Sequence, residues 1–201
     1  MYGSGNGASK GAPEPASGEA KLATPMILKT AAEYYNDSIL VTDVGRHQIY
    51  AARYFPVSAG RTFITSGGLG TMGFGLPAAI GASIGCPDAH VLLVSGDGSF
   101  LMNNQELVTA AEAGVNVTVL VMNDGRLGMI QQLQDAFYGA RFDVSKFPRD
   151  IRFDRLAETF GCTGYRVNDE EQLRGALSES TGLPGLKVID CKLEDEANVY
   201  P

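Results

Sequence analysis

Apolar residues in this chain fall into short unbroken runs, separated by stretches where small and polar residues recur at helical spacing. The runs ILVTDV (39–44), TFITS (62–66), HVLLVSG (90–96), NVTVLVMND (116–124), TGYRV (163–167) and GLKVIDCKL (185–193) have strand length. Helices are predicted between them, over 49–54, 73–85, 103–114 (stopped at Gly114), 153–161 and 169–180. The strands are near-continuous apolar runs rather than alternating ones, the pattern of a parallel sheet covered on both faces. Strand and helix alternate along the chain, which predicts an α/β fold: a doubly wound, mostly parallel sheet with helices on both faces. No internal repeat is evident.

Residues 1–23 break this pattern. They are Gly, Ala, Ser, Pro and Glu with little to bury, and read as a flexible leader or linker before one domain over 24–201. The 201 residues suffice for one sizeable core, and 44% hydrophobic with 19% charged residues is an ordinary globular balance. A net charge of −7 argues against a nucleic-acid surface. No apolar run reaches the roughly 20 residues of a membrane span, and no basic start precedes an apolar block. Cys86, Cys162 and Cys191 are odd in number and widely spaced, so neither a disulfide framework nor a zinc site is indicated. They are expected to be small buried hydrophobes in a reducing, cytoplasmic setting.

In doubly wound folds, ligands bind beyond the carboxyl ends of the strands. Three informative stretches fall there: DVGRHQ (43–48), SGGLGTMGFG (66–75) and GDGSF (96–100). A fourth, NDGRLGMI (123–130), follows the next strand. A strand-helix-strand unit returns the chain to the same sheet edge, so Asp97 and Asp124 become neighbours despite their distance in sequence. Two side-chain oxygens at such an edge suit a hard cation such as Mg²⁺, which fills its octahedron with phosphate and water. Gly96 and Gly98 permit a sharp turn and a close phosphate. Ser99 lies where a helix begins, so its hydroxyl and the amides there can donate to an anion. Each stretch alone also reads as a turn or a helix cap. It is their pairing at neighbouring strand ends that points to a site. The glycines of GGLGTMGFG could suggest dinucleotide binding. They follow the second strand rather than the first, and no acidic residue that obviously matches the fingerprint follows.

Together DVGRHQ, SGGLGTMGFG, GDGSF, QELVTA, NDG, LGMI and the final NVYP resemble thiamine diphosphate-dependent enzymes, and among them the acetohydroxyacid synthase (acetolactate synthase) large subunit. The resemblance runs from about Thr24 to Pro201 and implies the diphosphate-binding domain alone. It implies thiamine diphosphate and Mg²⁺ as cofactors. The metal ligands would be the Asp97 carboxylate, the Asp124 side chain and the Arg126 backbone carbonyl. Asn is usual where Asp124 stands, and Gln is frequent where Arg46 stands. Arg46 and His47 would contact the diphosphate, alongside Gly98, Ser99 and Gly125. Gly70, Thr71 and Met72 would support the cofactor, with Met72 as the apolar wedge behind its bend; plain core packing is the other reading of that Met. Leu127, Gly128 and Met129 would line the cofactor, and Ile130 and Leu133 the substrate side. Leu133 stands where biosynthetic members carry Trp, so the resemblance favours pyruvate over 2-ketobutyrate as acceptor.

The same resemblance implies decarboxylation of a 2-oxo acid and ligation of the resulting carbanion to an acceptor. It also implies a carboxylate that activates the pyrimidine ring, carried on a pyrimidine-binding domain. Glu33, Glu106 and Glu112 are available carboxylates, but none matches its motif, and Glu106 and Glu112, on the helix after GDGSF, are expected to be solvated or locally paired. A companion chain, in a homo- or hetero-oligomer, is therefore expected to complete the enzyme. The alternative is a non-catalytic cofactor-binding or regulatory module.

Overall fold

A computed structural model describes residues 21–56, 62–142, 144–194 and 197–199. Of the leader expected over 1–23, residues 1–20 lie outside the described residues, and the last three are tied to the domain rather than free of it. At its edge Lys21 bridges Asp169 and Leu22 packs into the core.

Six parallel strands form one sheet in the order β2-β1-β3-β4-β6-β5. They are β1 (Ile39–Thr42), β2 (Phe63–Thr65), β3 (Val91–Gly96), β4 (Val117–Asn123), β5 (Thr163–Val167) and β6 (Lys187–Lys192). Every pairing is parallel, with Val41 opposite Leu93, Leu93 opposite Val119 and Leu120 opposite Ile189. Successive strand residues serve two cores. Leu40, Leu92, Val94, Leu120 and Ile189 pack under α1 (Thr24–Tyr34), α2 (Arg46–Tyr54) and α8 (Glu170–Gly182). Val41, Leu93, Val119 and Val188 pack with Leu76 of α3 (Gly75–Gly85), Phe100 of α4 (Asp97–Met102), Leu107 of α5 (Leu107–Ala113) and Phe153 of α7 (Phe153–Thr159). Both faces are covered, which is why the central strands read as unbroken apolar runs, while the edge strands β2 and β5 are only half-buried.

Chain order reverses between β1 and β3: the chain leaves β1 toward β2, then crosses back to β3 and β4. Such a reversal opens a crevice at the strand tips. Asp43–His47 leave β1 there, Gly96–Ser99 leave β3, and the segment after Asn123 leaves β4.

The structure departs from the sequence expectation in places. Two helices were not expected: α1, and α6 (Gly128–Phe137) directly after the NDGRL turn. Helix α2 begins at Arg46 rather than at residue 49, because Gly45 (φ 152°) ends the strand turn abruptly. The helix expected over 103–114 resolves into a 3₁₀ turn at Asn104–Glu106 and α5, which stops at left-handed Gly114 (φ 61°), while α4 is a separate short helix before it. Cys162 and Cys191 are buried as expected, but Cys86, at the C-cap of α3, is exposed. Among the described residues no helix is long and apolar enough to cross a membrane.

Candidate functional site

The crevice holds a cavity of about 230 Å³. Its wall comes from four strand tips and the first turn of α6: Val44 to His47, Gly70 and Met72, Gly96 to Ser99, Met122 and Asp124, and Arg126 to Ile130.

Asp43, the last residue before the β1 turn, holds the frame. Its side chain is buried, and its Oδ1 accepts from the amides of Val44 (2.9 Å) and Gly73 (2.9 Å) while Oδ2 accepts from Gly75 N (3.0 Å). Burial raises its pKa above the usual carboxylate range, against the pull of those amides. This carboxylate ties the glycine-rich loop carrying Gly70 and Met72 to the β1 tip. It was not anticipated from sequence, although it opens the DVGRHQ motif. Gly75 must be glycine here, since a Cβ would lie 2.8 Å from Asp43 Oδ2 and 2.8 Å from Leu93 Cδ1.

His47 faces inward. Its Nε2 accepts from Gly96 N at 3.2 Å, and the ring also bonds the Asp43 backbone, so it staples the β1 tip to the β3 tip. Burial drives its pKa down to about 3, with the Arg46 charge adding to the effect, so the ring is neutral. Ser99 likewise donates its hydroxyl inward, to the Val44 carbonyl at 2.9 Å. Both residues border the cavity, but their polar atoms are used in holding its walls.

The two aspartates converge as the sequence implied. Gly96 lies opposite Met122 in the β3–β4 register, so the residues just beyond them emerge side by side. Asp97 Oδ1 accepts from Gly98 N (2.6 Å), and Oδ2 accepts from Gly125 N (2.8 Å) and Arg126 N (3.2 Å). Burial pushes its pKa up to about 7, helped by the negative charge of Asp124 and opposed by these amides. Asp124 Oδ2 accepts from Arg46 Nη2 and from Arg126 Nε (3.1 Å). Asp124 and Arg46 are both nearly buried, their side chains 7% and 6% exposed. Asn123, the other half of the Asn-Asp pair, turns away: its Nδ2 donates to Ile151 O (3.0 Å) and to buried Asp190 Oδ1 (2.8 Å).

Two glycines give close approach. A Cβ on Gly98 would lie 2.3 Å from Leu127 Cδ2 and 3.5 Å from Met72 Cε, so Gly98, Leu127 and Met72 share one small space. A Cβ on Gly128 would lie 2.4 Å from Arg46 Nε. Met129 and Ile130 complete the mouth, where Ile130 is 40% exposed.

Three expected residues lie off the wall. Thr71 is exposed, with its amide bonded to Ser66 Oγ at 3.1 Å; Gly125 turns the chain at φ 70°; and Leu133 stands exposed one turn along α6. Two of the carboxylates that matched no activating motif are engaged away from the cavity: Glu33 pairs with Arg174, and Glu106 accepts from Thr109. Sequence reasoning passed over Val44, Gly45 and Met122, which line the cavity as neighbours of its polar residues.

Comparison with known proteins assigns this arrangement to a class. The chain belongs to the family described as "Thiamine pyrophosphate enzyme, C-terminal TPP binding domain", which matches residues 43–191. Its relatives within that family include acetolactate synthases. The Escherichia coli (strain K12) acetolactate synthase isozyme 1 large subunit is 42% identical over 176 residues, covering 88% of this chain and 31% of that protein. The Porphyra purpurea acetolactate synthase large subunit is 40% identical over 176 residues, covering 87% of this chain and 30% of that protein. Among solved structures, the Rhodococcus jostii RHA1 thiamine diphosphate-dependent 4-hydroxybenzoylformate decarboxylase has the same fold, with a TM-score of 0.82 at 24% identity over 92% of this chain and 35% of that one. The chain spans about a third of the length of these relatives.

Proposed function

We propose that this chain is the diphosphate-holding part, over 24–201, of a thiamine diphosphate- and Mg²⁺-dependent, acetolactate synthase-like carboligase. The assembled enzyme decarboxylates a 2-oxo acid, with pyruvate the favoured donor, and joins the two-carbon fragment to an acceptor. The observation that carries the reading is the convergence of Asp97, Asp124 and Arg126 on one wall of a cavity built from strand tips. That donor set fits a small hard cation: two carboxylates and a backbone carbonyl leave the remaining positions for phosphate oxygens and water. The charge of Asp124 felt at Asp97 is the repulsion a shared cation would relieve.

Bound thiamine diphosphate would supply the electron sink for decarboxylation. This chain's residues bind and orient it. Asp97, Asp124 and the Arg126 carbonyl hold the metal. Gly98 lets the phosphate end come close, the first amides of α4 would donate to it, and Arg46 would supply positive charge beside it. Met72, packed across Gly98 from Leu127, props the cofactor from behind. Leu127, Met129 and Ile130 keep water from the reacting end. His47, Gly70, Thr71, Gly125 and Gly128 shape these loops. Leu133, exposed on α6, would meet the acceptor only beneath a covering partner.

A cavity of about 230 Å³ is smaller than the roughly 300–1,000 Å³ of complete small-molecule sites, which suits a half-site. Among the described residues lining it, Asp97 and Asp124 are the only carboxylates, and both belong to the metal in this reading. The pyrimidine-activating carboxylate is therefore assigned to a companion pyrimidine-binding domain, in a cytoplasmic oligomer. The test is to mix the chain with such a domain, thiamine diphosphate, Mg²⁺ and pyruvate. CO₂ release in the mixture and not from either part alone is expected. Asp97→Ala should remove Mg²⁺-dependent cofactor binding in calorimetry while leaving the circular dichroism spectrum unchanged; unaltered affinity would defeat the metal assignment.

A further inference from the structure

Four charged groups meet at the cavity wall: Asp97, Asp124, Arg46 and Arg126. Their partners are unevenly shared. Asp97 is held by backbone amides alone, while a single oxygen of Asp124 takes both guanidinium groups. Arg126 is two residues from Asp124, in the same turn. Arg46 comes from a different element, the first turn of α2, and reaches across the first residue of α6 to make its contact. It borders the same cavity as Gly98 and Ser99, where an anion would lie.

This geometry sets up a competition. A cation bridging Asp97 and Asp124 shares the Asp124 carboxylate with the Arg46 guanidinium, so two positive groups compete for one negative charge in a nearly buried space. A diphosphate entering beside Gly98 attracts the same guanidinium. The four groups sum to zero formal charge. A divalent cation alone would leave surplus positive charge in a largely buried space, and a diphosphate alone surplus negative charge. Each ligand therefore corrects the imbalance that the other creates.

We propose that Arg46 is an exchangeable counterion of Asp124: a diphosphate group draws its guanidinium off the carboxylate, a divalent cation takes its place there, and the two ligands bind cooperatively. This rests on the metal and diphosphate reading above. It adds a named residue that couples the two sites, and by linkage the coupling runs equally in both directions. Gly128 is the steric condition for it, because any side chain there would fill the space the guanidinium crosses.

The test uses the full chain, with Mn²⁺ as the cation probe and free Mn²⁺ followed by electron paramagnetic resonance. Without thiamine diphosphate, Arg46→Gln should bind Mn²⁺ about 10-fold more tightly than the wild type, within the usual range of coupling energies. With thiamine diphosphate present at the same concentration for both proteins, that gap should close to within about threefold. Chelation in solution cancels in this comparison. If Arg46→Gln gains nothing for Mn²⁺ alone, while the wild type binds Mn²⁺ in the presence of thiamine diphosphate, the exchange is overturned and the functional reading stands. If neither protein binds Mn²⁺ with thiamine diphosphate, both fall. Should Arg46→Gln not fold, Asp124→Asn and Asp97→Asn serve in its place, titrated with thiamine diphosphate in EDTA. Both lower the negative charge of the wall, but only Asp124→Asn releases Arg46. A gain of about fivefold or more confined to Asp124→Asn is expected, and equal effects of the two variants would refute the proposal.

Discussion

Replacing Asp43 with Asn tests how the site is held. The carboxylate accepts three backbone amides: Val44 and Gly73 at Oδ1, and Gly75 at Oδ2. An asparagine oxygen at the Oδ1 position can keep the first two bonds, but without the charge. Its NH₂ group then faces Gly75 N, donor against donor, and turning the amide over would set it against two donors, Val44 N and Gly73 N, instead of one. A hydrogen bond to a charged group contributes ~1.5–3 kcal/mol and a neutral one ~1 kcal/mol. One bond lost and two weakened therefore amount to about 3–5 kcal/mol. Burial already raises the Asp43 pKa, so relief from burying a charge returns part of this. The net loss expected is about 2–3 kcal/mol, or about 4–12 °C in Tm for a chain of this size. Urea denaturation followed by circular dichroism measures it directly. Binding of thiamine diphosphate in the presence of a companion domain should weaken as well, because the loop carrying Met72 loses its anchor. A variant within about 0.5 kcal/mol of the wild type would show that Asp43 does not hold the loop.

Two further outcomes follow from the packing and the titrating groups. At Gly164, in β5, a Cβ would lie 2.2 Å from the backbone carbonyl oxygen of Asp154, which cannot swing aside, so Gly164→Ala should cost about 3 kcal/mol or more in a denaturant titration and leave the cavity residues untouched if it folds. His47 is held neutral, with its pKa depressed to about 3 from an ordinary 6.5, so the unfolded chain takes up a proton in that interval while the folded one does not. The stability it contributes is present above pH 6.5 and is lost as pH falls toward 3. Buried Asp97, with its raised pKa, acts in the opposite direction over much of this range, so the quantity to read is the difference between proteins. Relative to His47→Asn, the wild type should lose about 1.4 kcal/mol per pH unit on acidification below 6; parallel pH profiles would contradict the neutral-staple assignment.

Much of the fold was legible because the middle of the sheet is buried on both sides: β3 and β4 hold the runs VLLVS and VTVLVM, which no surface strand would carry. The convergence of Asp97 and Asp124 was legible for the same reason, since parallel crossovers bring successive strand tips to one edge. Helix α6 was not, because GMIQQLQDAF mixes Gln through a sequence whose polar Gln131 and Gln132 are themselves buried. Helix α1 was masked by the low-complexity stretch before it. The roles of Asp43, His47 and Ser99 were hidden by a different cause. Each spends its polar atoms on backbone groups of another loop, and sequence spacing does not show which amide a buried carboxylate or ring will meet. Arg46 shows the same effect: it reads as a phosphate ligand, but its partner in this structure is Asp124, 78 residues away.

The most direct measurement is a crystal of the chain grown with thiamine diphosphate and Mn²⁺, with the anomalous signal of manganese used to locate the ion. One strong peak is expected between the Asp97 and Asp124 side chains and the Arg126 carbonyl, with diphosphate oxygens completing its shell at about 2.0–2.2 Å. Ordered cofactor with no manganese at that point, or manganese bound away from both carboxylates, would contradict the assignment.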